Sequence, residues 1–423
     1  TLLHVAADAD RAADADVLIA AALANHRGMW SALAEPDEAR IAVLDRATAR
    51  CASHAERARL LARTAIEVVF VRDRDPVPLL EEAARMAERI DDPRVHAEVM
   101  FAQVTAGWQP GTGADLPLTS ADLVGLTHRI GDQAGRAHAL MWHSLHLRTT
   151  GATRAARDAL EAAHEIAEAI DHDTLRLYAC GYWCAQAMLE GDVAAATAAA
   201  EQTRALGEAT GQPDAMEWHL SMVANIAVLE GRIDELSAVV LDLPPESALT
   251  SIGPYRAFLS VALLRSDRAT EGRRLWTRLA DTLPEAPRDF TWLGTVCLLA
   301  LGAEDFNDPV RCRRVHDLAA PFAGQFVNGG VVMWGALDHT LGVLASAAGD
   351  TETAGRAFER ATRMQEEAGA AGWQIHTQLA WARHLRRADP QSPGIAALVA
   401  AADAAARRLG LPALAESAQR LKG

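Results

Sequence analysis

Tryptophan, histidine and cysteine are the residue types whose number and spacing in this sequence could support chemistry. Ten tryptophans occur in a chain only 5% aromatic. Trp142, Trp183, Trp218, Trp292, Trp334, Trp373 and Trp381 fall at or near the start of apolar runs that read as the first helix of a helical pair. Histidines share those runs: His138, His143 and His146, then His219, His339 and His376. His143 and His146, three residues apart, share one helix face, as metal ligation would require. Cys180 and Cys184, four apart in the next such run, could complete a Cys/His site, although small cysteines are more often seam packing. No metal site is assigned from these residues.

Catalytic motifs are missing. There is no GxSxG elbow, and His164-Glu165 begins an HExxH motif that Glu168 breaks. Gly111-Thr112-Gly113 lacks the third glycine of a dinucleotide fingerprint. The only lysine is Lys422, so a P-loop, a pyridoxal Schiff base and a lysine base have no candidate inside the chain. The expectation is a binding protein without cofactor or catalytic residues.

The formal charge of −15 argues against a surface that neutralises nucleic-acid phosphates. Five scattered cysteines without a CxxC pair give no disulfide framework and fit a reducing cytoplasm. The longest uncharged apolar stretch, residues 290–303, is shorter than the roughly 20 residues needed to cross a bilayer. The chain begins at Thr1 without a methionine, in sequence that is helical by Asp16, which is expected of a piece of a longer polypeptide.

The elements that must position these residues come from an internal repeat. Half the residues are hydrophobic and alanine dominates them, a composition of packed helices. Gly151, Gly191 and Gly231 each close an apolar helical run, and successive glycines are 40 residues apart. Each can adopt the left-handed conformation that ends a helix, and each precedes a second Ala-rich run, so the unit is a helical hairpin. Looser copies follow at Arg265-Ser266-Asp267, Gly302, Gly349 and Arg387-Ala388-Asp389, with earlier ones at Arg72-Asp73 and Gly107. About nine or ten hairpins would fill the chain at this period. In the clearest copy, Leu341, Gly342 and Ala345 precede the Gly349-Asp350 turn, and Ala354, Phe358 and Ala361 follow it. Ser144, Leu147, Ala156, Leu160 and Ala163 take equivalent places around Gly151. This spacing is similar to the tetratricopeptide consensus, with longer units.

The predicted fold is all-α, a right-handed α-solenoid of tetratricopeptide-like hairpins. Residues 1–108 form an N-terminal sub-array, the Pro-, Gly- and Thr-rich stretch 109–120 a loop, and residues 121–423 the main array. In such arrays first helices line the concave groove. The candidate lining is His138, Met141, Trp142, His146, Tyr178, Tyr182, Trp218, Asn225, Trp292 and His339.

The run 283–293, with Leu318-Ala319-Ala320-Pro321-Phe322-Ala323-Gly324, Asn328-Gly329-Gly330, Leu341-Gly342-Val343-Leu344-Ala345 and Ala357-Phe358-Glu359-Arg360-Ala361, resembles the C-terminal helical region of large actinobacterial regulators. These are the ATP-binding LuxR-type transcriptional regulators and their cyclase-linked relatives, among the signal-transduction ATPases. The resemblance implies a sensor domain that binds a protein, peptide or small inducer, with ATPase and DNA-binding modules on the same full-length polypeptide. It implies no nucleic-acid contact by this segment. A free-standing scaffold for complex assembly is the alternative, and an enzyme with a groove-lined pocket a more remote one.

Overall fold

Glycine turns set the architecture. In the computed structural model, Gly151, Gly191, Gly231 and Gly349 all have φ between 76° and 80°. This conformation is one an L side chain adopts at a cost of roughly 1–2 kcal/mol. At Gly191 the turn also returns the Asp192 N–H to the Ala187 carbonyl, the six-to-one bond that closes a helix end. Asp192 then caps the next helix by accepting from the Ala195 N–H at 2.9 Å. Asp350 does the same for Thr353. One helix therefore stops and the next starts within two residues, and the pair folds into a hairpin.

The structure describes residues 2–24, 36–71, 73–110, 115–212, 214–235 and 252–422. The first set of helices is α1 (Leu2–Arg11), α2 (Ala15–Ala24), α3 (Glu38–Arg50), α4 (His54–Glu67), α5 (Val77–Ala87) and α6 (Pro93–Ala106). It continues with α7 (Leu116–Arg129), α8 (Gln133–Thr149), α9 (Thr153–Ala169), α10 (Asp173–Glu190), α11 (Val193–Thr210) and α12 (Ala215–Glu230). The second set begins with α13 (Gly253–Leu264), α14 (Ala269–Thr282), α15 (Trp292–Leu301), α16 (Ala303–Phe306) and α17 (Pro309–Ala319). After strands β1 (Phe326–Asn328) and β2 (Met333–Ala336) come α18 (Leu337–Ala347), α19 (Thr351–Ala368), α20 (Ala371–Ala388), α21 (Gly394–Leu409) and α22 (Pro412–Arg420).

Layering follows the expected solenoid. In the first set α4, α6, α8, α10 and α12 each touch the next, while α5, α7, α9 and α11 pack between them on the other side. In the second set α13, α15, α18, α20 and α22 succeed one another in the same way. The chain is an all-α solenoid of stacked helix pairs. The consensus positions carry the packing: a side chain at Gly342 would meet the Phe358 ring at 2.7 Å, and Ala345, Ala354 and Ala361 are buried.

Three expectations change. Helix α7 starts at Leu116, so residues 116–120 of the expected loop are helix; residues 111–114 lie outside the described residues. Pro117 in the first turn is a helix-compatible position, and this explains why a Pro-rich stretch reads as loop yet begins a helix. The division drawn at 109–120 also does not coincide with a break in the core, since one apolar cluster runs from Ala58 through α6, α7 and α8 to Trp373. A separate cluster instead joins α1, α2 and α3 with Leu60. Third, Trp334 lies on strand β2 and not on a helix.

Candidate binding face

The second set of helices folds back on the first. The last carbonyls of α10 and α12 lack the amide that a continuing helix would supply, and Met188 O receives only the Gly191 N–H of the turn, at 3.2 Å. Side chains one turn apart on α20 take them: Trp373 Nε1 donates to Met188 O at 3.0 Å, and His376 Nε2 bonds Leu229 O at 2.9 Å. In the opposite direction Thr153 Oγ1 donates to Ala368 O, at the end of α19. The repeat glycines lie at these points. A side chain at Gly151 would strike Phe326, one at Gly191 the Gly372 backbone at 3.0 Å, and one at Gly231 Leu414.

Between the two sets sits the β-hairpin. It pairs Phe326 with Ala336 and Val327 with Gly335, bulges before Asn328, and turns through Gly329 and Gly330. Its base is closed by Leu337 N–H to Gln325 O, and by buried Asp338, which accepts from Gly324 N–H at 2.7 Å and from Arg360. Its tip lies against three consecutive first helices. Arg148 on α8 donates to Gly330 O at 3.0 Å and to Tyr182 O at 2.8 Å. Asn225 on α12 accepts from Met333 N–H at 2.7 Å, and Asn328 donates to Thr149 Oγ1 at 2.8 Å. On α10, Gly181 leaves room for Val331, which an added Cβ would approach to 2.8 Å. A small cavity of about 30 Å³ lies beside the hairpin, bounded by Trp108, His146, Phe290, Phe326 and Asn328. It has room for one or two waters.

The candidate residues divide into three groups. The first forms ladders of rings across neighbouring first helices: Phe101, His138, Tyr178 and Trp218 succeed one another at centroid distances of 5.5–5.7 Å. A parallel ladder joins Trp108, Trp142 and Tyr182 at 5.7 and 6.4 Å. The 40-residue period generates both, because it places 138 beside 178 beside 218, and 142 beside 182. Trp142, Tyr178, Tyr182 and Trp218 are buried, as is Met141, so these rings fill the seam between helices and do not line an open groove. Burial holds the His138 imidazole neutral, its pKa lowered to about 4, with His172 adding to the effect.

His146 and Asn225 form the second group and do reach the hairpin side. His146 borders the cavity, 2% exposed. Its ring nitrogens face the Val104 and Leu116 backbone on α6 and α7, short of full hydrogen-bonding geometry. Burial, with His143 adding to it, lowers its pKa to about 3. The third group, Trp292 and His339, belongs to the second set of helices. Trp292 packs edge-on against Phe322 and donates to Leu283 O, and His339 bonds Thr377 Oγ1.

His143 bonds Ser120 Oγ at 3.0 Å, while burial pushes the Cys180 thiol up to about 11 and the Cys184 thiol up to about 12. Among the described residues, no three His, Cys, Asp or Glu side chains converge as metal ligands. No described helix is long and apolar enough to cross a membrane.

Arg148, Thr149 and Gly181, which hold the hairpin, and Asn328 and Gly330, which they hold, escape a reading based on aromatic and histidine content. Their one visible signal is Asn328-Gly329-Gly330 between valines, the short-range signature of a tight hairpin turn.

No family model matches the chain, and no curated protein does. Among solved structures it is similar to a "circular tandem repeat protein with novel repeat topology and enhanced subunit contact surfaces". That likeness is 12% in identity over 99% of this chain and 92% of the other, with a TM-score of 0.15. A score that low carries no argument, so the helical-repeat class rests on the helix contacts described above.

Proposed function

We propose that this chain is a polypeptide-binding scaffold. One observation carries that reading: side chains from two first helices hold the backbone of an extended segment, Arg148 of α8 on the Gly330 carbonyl and Asn225 of α12 on the Met333 N–H, with Gly181 of α10 making room between them. Side-chain bonds to a backbone give affinity without demanding a particular sequence, which suits a face that accepts extended chains. In the setting that the sequence resemblance implies, the scaffold is the partner-responsive arm of an ATP-dependent regulator, and occupancy of this face shifts the relation between the two helical sets.

Panning a random peptide library against the chain tests the reading. Enriched peptides should lose binding to an Asn225→Ala chain and to a Gly181→Leu chain, whose added side chain fills the space taken by Val331. A library that yields no peptide dependent on either position overturns the proposal.

A further inference from the structure

Arg148 is 0% exposed, yet its guanidinium has no carboxylate partner among the described residues. Its Nη atoms donate to two neutral carbonyls, and its Nε hydrogen has no acceptor. The Tyr182 ring lies 5.6 Å from the guanidinium carbon, which offsets only part of the lost hydration. A buried charge without a counter-ion is among the costliest groups a fold can hold, and in other folds such arginines are paired. An interior ion pair of the same chain shows the contrast: Arg40 and Glu67, both buried, sit 3.1 Å apart. Around Arg148 the cost is not isolated. Asn225 Nδ2, on the same hairpin-facing side, also lacks a partner. Two unsatisfied polar atoms against one short segment mark a surface whose present occupant complements it poorly.

That occupant is the hairpin tip. It touches Arg148 through a single backbone carbonyl, and its φ = 79° glycine has no side chain to offer. Space for one exists: a Cβ at Gly330 would find its nearest neighbours, Leu145 and Trp108, at 3.9 and 4.0 Å.

We propose that Arg148 is the anchor of a carboxylate site, that its ligand is an acidic side chain on an extended partner segment, and that the 329–332 tip occupies this site in its place until displaced. The proposal rests on the reading of this face as a polypeptide-binding surface, and deepens it by naming the group recognised and the internal competitor. A guanidinium and a carboxylate brought together away from water form two parallel bonds that a carbonyl cannot match.

Two measurements test it. In the intact chain, Gly330→Asp and Gly330→Asn replace the same glycine with side chains of one shape, both tolerant of positive φ. Gly330→Asp should melt several degrees above Gly330→Asn, and equal or reversed melting temperatures overturn the carboxylate site. In the second measurement, labelled peptides spanning residues 325–337 and carrying the same two substitutions are titrated into a chain whose hairpin base is loosened by Asp338→Asn. The Asp peptide should bind about tenfold tighter than the Asn peptide, and the difference should vanish in an Arg148→Met background. Failure of both peptides to bind overturns displacement of the tip. If library peptides bind this face yet show no preference for an acidic residue and no dependence on Arg148, the scaffold reading stands and the carboxylate site falls. If neither the library nor the Asp peptide yields binding to this face, the scaffold reading falls and the carboxylate site falls with it.

Discussion

His146 and Asn225 show how single side chains on this face set its response to conditions. His146 is neutral in the folded chain because burial lowers its pKa to about 3, whereas an unfolded histidine takes a proton near pH 6.5. The unfolded state therefore binds more protons between those values. Stability is fully present above about pH 6.5 and declines as pH falls toward 3, by up to ~1.4 kcal/mol per pH unit for this one group. In urea denaturation, the stability lost between pH 7.5 and pH 5.0 should be smaller by roughly 2 kcal/mol in His146→Phe than in the parent, with His138 and the other buried histidines supplying the remainder. An unchanged difference in the variant would place the acid sensitivity elsewhere. Asn225 acts without titrating. Asn225→Ala should leave the Met333 N–H buried without an acceptor, at a cost of about 1–3 kcal/mol. Hydrogen exchange at Met333 should accelerate while α8 and α10 keep their protection.

At the scale of the helical hairpin, the repeat glycines do two jobs that substitution can separate. Gly349 and Gly191 share nearly the same φ, 80° and 78°. Around Gly349 a Cβ meets nothing within 4 Å, while at Gly191 it meets the Gly372 backbone nitrogen at 3.0 Å. Gly349→Ala should cost the conformational strain alone, ~1–2 kcal/mol, and Gly191→Ala should cost more, since a backbone neighbour cannot swing away. Equal losses in chemical denaturation would mean that the helical sets do not press on each other there. The same glycines explain what the sequence makes legible. A 40-residue spacing of left-handed turns dictates hairpins, and the hairpins dictate which rings become neighbours, so the ladder through His138, Tyr178 and Trp218 follows from the period. The period does not say which face of a first helix meets the next helix and which meets something else. Trp142 and Arg148 are six residues apart on α8, yet one fills a seam and the other grips the hairpin. Only contacts distant in sequence make that distinction, such as Arg148 with Gly330. The hairpin is hard to read for a related reason: its strands span only residues 326–328 and 333–336, and the helical punctuation on either side draws the eye past them.

For the whole molecule, the decisive interface is the one where the second helical set returns onto the first, and it adds polar contacts to the apolar packing that the stacked helices share. Within each set, neighbours meet through alanine, leucine and aromatic rings. Where the sets meet, Phe326 and Leu414 pack over Gly151 and Gly231, but Trp373 and His376 also bond helix-terminal carbonyls, and the hairpin tip leaves Arg148 and Asn225 with unpaired atoms. An interface of that kind loses less on opening than an apolar one of equal area, because water satisfies the freed polar groups. Each helical set retains its own stacked contacts when the two part. Gly372→Val drives a wedge into this interface, since a Cβ there already meets Leu229 at 2.9 Å and Gly191 at 3.3 Å. Small-angle scattering of this variant should show a larger radius of gyration than the parent, while circular dichroism shows the same helical content. A parallel fall in helicity would mean that the two sets fold as one cooperative unit and that the hairpin is a structural weld. An expanded but fully helical chain would place the lowest barrier of the molecule at the face where its partner is proposed to bind.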